Sequence, residues 1–260
     1  MTQPAVLIPD WPADYALQRV AAVSTTRAGG VSAAPYGGEP GHGGLNLGDH
    51  VGDQPAAVAR NRQLLDALVA ARPVWLTQVH GATVVDAARV AGPVLADASF
   101  TTEPGVACAI LTADCLPVLF RDRAGSVVGA AHAGWRGLAG GVLQNTVAAM
   151  RQAAGKHGGC DILAWLGPAI GPRCFEVGAD VVAAFSSLHA PAAFVPIAAR
   201  EGKYLADIYL LARAVLATVD VHAVTGGQHC TVSEPAAFYS YRRDGVTGRQ
   251  ASMVWIAADS

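Results

Sequence analysis

Three short segments carry side chains with the chemistry of metal ligands: QVHG at 78–81, TADC at 112–115 and AHAGWRG at 131–137. Imidazole and thiolate are donors that zinc prefers, and three protein ligands with one open position is the arrangement used when the ion does chemistry. His80, Cys115 and His132 are therefore candidate ligands, and zinc held by them could acidify a bound water or polarise a substrate oxygen. Their spacing says nothing alone, because ligands on different strands need no fixed separation. A histidine beside buried strands can equally be a hydrogen-bonded core residue, and a cysteine in an apolar run a packed hydrophobe. A Cys-His hydrolase is a further reading, with Cys115 as nucleophile and His132 or His80 as its base. Both chemistries bring thiolate and imidazole together, so residue types do not separate them.

Charged residues surround these segments. Arg136, in GWRGLAGG, precedes an expected helix, where it and free backbone N–H groups could hold an anion; pairing with a structural carboxylate is the plain alternative. Arg27 in TTRAGG, and Arg242, Arg243 and Arg249 in SYRRDGVTGR, sit beside glycines in expected loops. Each alone is an ordinary surface charge, and together they point to a phosphate pocket. Asp97 and Asp114 are candidate acids, or partners that orient the histidines. The GxGxxG and GxxxxGK[ST] phosphate loops are absent, as is the HxE with PCxxC signature of zinc deaminases. No HxH pair occurs, although a multicopper array needs many such histidines.

The elements that must position these residues follow from apolar periodicity. Val20 to Thr26 reads as a strand, followed by a Gly-rich loop from Gly29 to Gly48. A helix is expected from Pro55 to Ala71, with Pro55 in its first turn and Pro73 just past its end. Short strands are expected at Val74 to Val79 and Ala82 to Val85. Near-continuous apolar runs predict buried strands at Val106 to Thr112, Leu116 to Phe120 and Ser126 to Ala131. Leu138 to Ala154 is the clearest helix, with Leu138, Val142, Leu143, Val147 and Met150 on one face. A strand at Ile162 to Leu166, helices at Ala179 to Ser186 and Tyr204 to Val219, and a strand at Met253 to Ile256 complete the series. Each candidate ligand thus falls at the end of an expected strand.

A chain of 260 residues buries roughly three quarters of its unfolded surface, so it needs no disulfide or metal merely to fold. With 52% hydrophobic and 15% charged residues it has the composition of a compact core. Residues 1–260 are expected to form one mixed α/β domain. A formal charge of −2 offers no field for nucleic acid or an anionic membrane. Cys108, Cys115, Cys160, Cys174 and Cys230 form neither a CxxC pair nor a disulfide framework. Without a signal segment or membrane span the protein is expected in the cytoplasm; oligomeric state is left open.

Taken in order, TTRAGGVS, NLGDHVGD, QVHG, ADA, TADCLPVLF, AHAGWRG, GPAIGPRCFEVG and SYRRDG with TGR resemble the YfiH or multicopper polyphenol oxidase laccase-domain family. The likeness runs from Val23 to Trp255, and the loop from Pro35 to Gly44 departs from it by being longer and richer in glycine. The resemblance implies that His80, Cys115 and His132 bind the metal, zinc with copper as an alternative. It implies an α+β fold of four layers, α/β/β/α, with two mixed sheets between helices, similar to a cytotoxic-necrotising-factor cysteine hydrolase. The implied activity is phosphorolysis of adenosine, inosine and methylthioadenosine, with adenosine deamination. The expected catalytic set is His80, Cys115, His132, Arg136 and Asp114, and the expected substrate-binding set is Arg27, Asn46, Asp97, Arg242, Arg243 and Arg249. Expected partners are a nucleoside and phosphate, with no nucleic acid or membrane. The alternatives are an amidase that removes L-Ser from the cell-wall precursor UDP-MurNAc-L-Ser, a copper-dependent polyphenol oxidase, and a non-catalytic binding protein built on a closed zinc site.

Overall fold

A computed structural model describes residues 4–12, 19–37, 43–155, 161–188 and 190–258. Cys160 and the middle of the Pro35 to Gly44 loop lie outside the described residues. The chain begins β1 (Val6–Leu7), β2 (Val20–Thr25), β3 (Ala28–Ser32), α1 (Pro55–Asp66), β4 (Arg72–Val74), β5 (Val84–Asp86) and β6 (Ala98–Thr101). Its centre is β7 (Val106–Thr112), β8 (Leu116–Asp122), β9 (Val128–Ala133), α2 (Trp135–Ala139), α3 (Val142–Ala153) and β10 (Ile162–Leu166). It ends with β11 (Glu176–Gly178), α4 (Ala179–Ala184), β12 (Phe194–Pro196), β13 (Lys203–Ala206), α5 (Ile208–Ala217), β14 (Ala223–Gly226), α6 (Tyr241–Asp244) and β15 (Gln250–Ile256).

Two mixed sheets dominate. One has the order β1-β2-β15-β7-β4 and the other β14-β10-β8-β9-β6-β5, with a small sheet β11-β13-β12 beside them. The pairs β4 with β7, β5 with β6 and β10 with β14 are parallel, and the other pairs are antiparallel. Three apolar clusters separate the layers. Leu65 of α1 packs with Ala107, Ala109, Leu111 and Met253 on the outer face of the first sheet. Cys108, Ile110 and Val254 meet Leu119, Val128, Ala130 and Trp165 between the sheets. Val118, Phe120 and Ala131 pack against Leu143, Val147, Leu211 and Val215 of α3 and α5 on the far side. The order is helix, sheet, sheet, helix, as the four-layer expectation has it. Burial on both faces explains why β7, β8 and β9 are continuous apolar runs without alternation.

Several expected elements change where side chains or glycines intervene. The helix expected from Leu138 is two helices, because Gly141 takes a φ of 92° that only glycine adopts without strain. Tyr204 to Ala206 is strand, and α5 begins only where Asp207 caps it by accepting the N–H groups of Tyr209 and Leu210. β9 starts two residues later than expected because Asp122 ties Ser126 and Val127 into a turn, so His132 lies within the strand. The strand expected over Val74 to Val79 leaves β7 after Val74 and keeps only a bridge from Thr77 to Leu95, and the helix from Pro55 ends at Asp66. Part of the expected Gly29 to Gly48 loop is β3, bridged from Ala28 and Ser32 to Gly44. Among the described residues no helix is long and apolar enough to cross a membrane.

Candidate metal centre

The three ligand candidates come from three elements: His80 from the loop after β4, Cys115 from the β7–β8 turn and His132 from β9. Their donor atoms all lie within 4.8 Å of one another, and Cys115 Sγ is 3.8 Å from His80 Nε2. The two imidazoles meet edge to face with centroids 4.7 Å apart. Among the described residues this is the group of His, Cys, Asp and Glu side chains that could hold an ion.

Asp97, fully buried, organises two of the three ligands. Its carboxylate accepts the backbone N–H groups of Val79 (3.2 Å), His80 (2.9 Å) and Gly81 (2.7 Å). Three converging N–H groups curl the QVHG loop tightly enough that His80 holds a φ of 60°, uncommon for a residue with a side chain. The same carboxylate lies 2.8 Å from His132 Nδ1. A carboxylate can only accept, so the proton sits on Nδ1 and Nε2 faces the cluster. Gln78 completes the loop: its carboxamide donates to Leu111 O and accepts from Leu111 N, both at 2.8 Å, taking the place of a strand partner beside β7.

Gly134 leaves the room. A Cβ there would stand 3.0 Å from Cys115 Sγ, 3.0 Å from His80 Cδ2 and 3.6 Å from His132 Nε2. The donors therefore ring a small space that a methyl group would fill. Zinc bonds of about 2.0–2.3 Å place neighbouring ligands of a tetrahedral ion roughly 3.5 Å apart, so the donor set and its spacing fit one ion. Three ligands from the described residues match the arrangement with a free position.

Charge within the cluster is strongly coupled. Burial pushes the Cys115 thiol up, but the charge and hydrogen bond of His132, with help from His80, outweigh it and bring the thiol down to about 6. Burial pushes His132 down, while Cys115 and Asp97 outweigh it and lift it to about 9. Burial raises Asp97, and the His132 and backbone hydrogen bonds hold it below the usual carboxylate range.

The cluster opens into a cleft of about 990 Å³, lined among others by Asp49, His50, Arg62, Trp75, Tyr241 and Arg249. Arg62 pairs with Asp49 and lies over the Trp75 ring. Of the arginines expected to gather phosphate, Arg249 lines this cleft. Arg27 donates to Gly37 O and Pro235 O, and Arg243 to Thr231 O and Phe238 O; these guanidiniums tie loops together. Arg242 donates to Glu176 O beside Phe175, and Arg136 lies over Trp135 on α2. Asn46 is buried and holds the Arg249 segment by accepting its N–H at 2.9 Å. Asp114, at a φ of 91°, accepts from Thr231 Oγ1 and Arg242 N, and so shapes the turn that presents Cys115. Gln78 and Gly134 lie inside segments conspicuous in the sequence, but their roles depend on partners outside those segments. Tyr241 lies in the SYRRDG segment beside the arginines that drew attention there, whereas Arg62 and Trp75 carry no local signal.

Residues 21–257 match the family of multi-copper polyphenol oxidoreductase laccases. The chain is 55% identical to a purine nucleoside phosphorylase of Pseudomonas aeruginosa over 97% of its length and 98% of the relative's. It is 49% identical to the purine nucleoside phosphorylase YfiH of Escherichia coli, over 96% and 98% of the two chains. Among solved structures, a protein of Neisseria meningitidis superposes with a TM-score of 0.88 at 50% identity, covering 97% of this chain and 99% of that one. YlmD from Geobacillus stearothermophilus superposes with a TM-score of 0.80 at 33% identity, covering 93% of each.

Proposed function

Since the chain belongs to the multi-copper polyphenol oxidoreductase laccase family, in which relatives are named purine nucleoside phosphorylases, we propose that it is a zinc-dependent purine nucleoside phosphorylase of the cytoplasm. Its substrates in this reading are adenosine, inosine and methylthioadenosine, with adenosine deamination as an accompanying activity. The observation that carries it is the single cleft lined by Arg62, Arg249 and the His-Cys-His cluster. Residues 1–260 act as one catalytic domain whose partners are nucleoside and phosphate, not nucleic acid or membrane.

In phosphorolysis a phosphate oxygen bonds to ribose C1′ as the bond from C1′ to the purine nitrogen breaks, and the departing base takes up a proton. Arg249, partly relieved of water by burial, and Arg62 hold the phosphate charge. The exposed Tyr241 ring offers a surface for a flat base. Asp97 keeps the His132 proton on Nδ1, which leaves Nε2 free to hold the metal, and the proton for the departing base comes from solvent in the cleft. Zinc bound by His80, Cys115 and His132 would supply Lewis-acid polarisation of a substrate oxygen. Incubating the purified protein with adenosine, with and without inorganic phosphate, tests the proposal: adenine and ribose 1-phosphate are expected only with phosphate. Equal base release without phosphate rejects phosphorolysis.

One observation favours a second reading. Cys115, His132 and Asp97 stand in the order of nucleophile, base and orienting carboxylate, as in cysteine hydrolases. In an amidase acting on UDP-MurNAc-L-Ser, the thiolate would attack the amide carbonyl, the amine of serine would leave with the proton from His132 as the C–N bond breaks, and water would then hydrolyse the thioester and free the thiol. Serine release without phosphate distinguishes this reaction. Polyphenol oxidation calls for an array of copper ions, whereas the three ligands found here suit one ion. A closed zinc site in a non-catalytic protein needs a fourth ligand, and three come from the described residues. Metal analysis of protein grown in copper-poor medium identifies the resident ion.

A further inference from the structure

The other thiols differ sharply in their surroundings. Cys108 is fully buried between the sheets, and burial pushes it up to about 12, which leaves it inert. Cys174 and Cys230 are partly exposed and stand together outside the metal cluster. Cys230 Sγ accepts the N–H of Gly171 at 3.3 Å, and Cys174 N in turn donates to Gly171 O. The Ser233 hydroxyl lies 3.4 Å from Cys174 Sγ and also hydrogen-bonds Cys230, so one oxygen meets both sulfurs. Gly171 permits this approach, since a Cβ there would come within 2.9 Å of Cys230 Cβ. Burial raises the Cys230 thiol, but the Ser233 hydroxyl and the N–H groups of Ser233, Gly171 and Val232 outweigh it and favour the thiolate.

Both thiol segments grip the same residue. Ile170 N, beside Gly171, donates to Asp114 O at 2.9 Å, and Thr231 Oγ1, beside Cys230, donates to Asp114 Oδ1 at 2.5 Å. Asp114 immediately precedes Cys115 and holds its strained φ through these bonds. Drawing the two segments together therefore pulls on the turn that presents the metal-ligating thiol.

We propose that Cys230 and Cys174 form a dithiol that hydrogen peroxide converts to a disulfide, and that this modification is transmitted through Thr231, Ile170 and Asp114 to the Cys115 turn. The Cys230 thiolate attacks one peroxide oxygen; the S–O bond forms, the O–O bond breaks, and the departing hydroxide takes a proton to become water. Cys174 then attacks the Cys230 sulfur; the S–S bond forms, the S–O bond breaks, and hydroxide leaves with the Cys174 proton as a second water. One peroxide is reduced by two electrons and two thiols are oxidised.

The test uses the protein as purified, treated with a stoichiometric amount of hydrogen peroxide, alkylated and mapped by mass spectrometry. A linked Cys174–Cys230 peptide that reverts with a dithiol reductant is expected. In Cys174→Ser, Cys230 is expected to persist as a sulfenic acid trapped by dimedone. Amide exchange across residues 114–116 is expected to rise several-fold in oxidised wild-type protein and to stay unchanged in the variant. Free Cys174 and Cys230 after treatment, or oxidation confined to Cys115, overturns the proposed pair. A linked peptide with unaltered exchange at 114–116 overturns the transmission. Neither readout depends on the reaction catalysed, and the wild-type map remains decisive if the variant does not fold.

Discussion

Asp97 Oδ1 lies 2.8 Å from His132 Nδ1 while the two oxygens of that carboxylate also gather the backbone N–H groups of Val79, His80 and Gly81. One buried acid therefore orients two metal ligands that are separated by 52 positions in the chain and lie on different elements (132 less 80). Its charge also favours the protonated Nδ1 that leaves His132 Nε2 turned inward.

Asp97→Asn keeps the size of the side chain and loses the charge and one acceptor oxygen. Metal affinity, read by competition with a chelator, is expected to fall about 10- to 100-fold. Asp97→Ala leaves buried N–H groups without a partner and is expected to cost a further ~1–3 kcal/mol in urea unfolding. Wild-type affinity in Asp97→Asn would show that His132 is oriented by something else.

Gly134→Ala separates metal binding from folding. The backbone at Gly134, with φ −57° and ψ 152°, suits alanine, so the strain is confined to the ring of donors that the new methyl would meet. Thermal unfolding of the metal-free variant is expected within about 1 kcal/mol of wild type. Metal content after dialysis is expected to drop severely, and a fully loaded variant would disprove the cradle.

In the metal-free protein two opposed proton linkages meet. Cys115 has a folded value of about 6, depressed from 9.0, so its contribution is present above 9 and is lost as pH falls through about 6. His132 is raised from 6.5 to about 9, so its contribution is full below 6.5 and is lost as pH rises through about 9. The thiolate and imidazolium coexist between those limits. The two linkages oppose each other, so urea midpoints of chelator-treated protein are expected to change little between pH 6.5 and 9, and Cys115→Ser, which removes the rising contribution, is expected to make them fall as pH rises through that window. Cys115 alkylation rising only near pH 9 would contradict the thiolate.

Gln78→Glu tests the substitute strand partner. A carboxylate cannot donate to Leu111 O, so two acceptors would face each other at a part-buried site. A loss of about 1–3 kcal/mol is expected in denaturant unfolding, with weaker metal binding because the His80 loop loses its tether. Gln78→Met, which removes both polar atoms, is expected to be milder than Gln78→Glu.

Arg249→Met addresses the proposed phosphate contact. The substitution keeps an apolar stem against Gly48 and removes the guanidinium from the cleft. The KM for phosphate is expected to rise about 10-fold or more, corresponding to ~1.4 kcal/mol or more, while the KM for nucleoside changes little. Arg243→Met, away from the cleft and engaged with Thr231 O and Phe238 O, is expected to lower stability instead. Unaltered phosphate dependence in Arg249→Met would remove this arginine from the site.

The buried strands at 106–112, 116–120 and 162–166 are legible in the sequence because double-sided burial leaves a continuous apolar run, while the polar Arg121 and Asp122 that extend β8 are not. The Tyr204 to Ala206 strand is hidden by a helical-looking apolar pattern, which cannot register that Asp207 caps a helix starting at Ile208. Four glycine-flanked arginines look alike in sequence and all four donate to backbone carbonyls, yet of them Arg249 also lines the cleft. That difference depends on which loop folds against which, information absent from any one segment.

His80, Cys115 and His132 could be named from residue type and motif because donor softness belongs to the side chain itself. Their convergence within 4.8 Å, the Asp97 carboxylate that serves two of them and the cleft formed with Arg62, Trp75 and Tyr241 are properties of the packed sheets. These contacts join residues far apart in the chain, and their energies exist only once the layers close and exclude water.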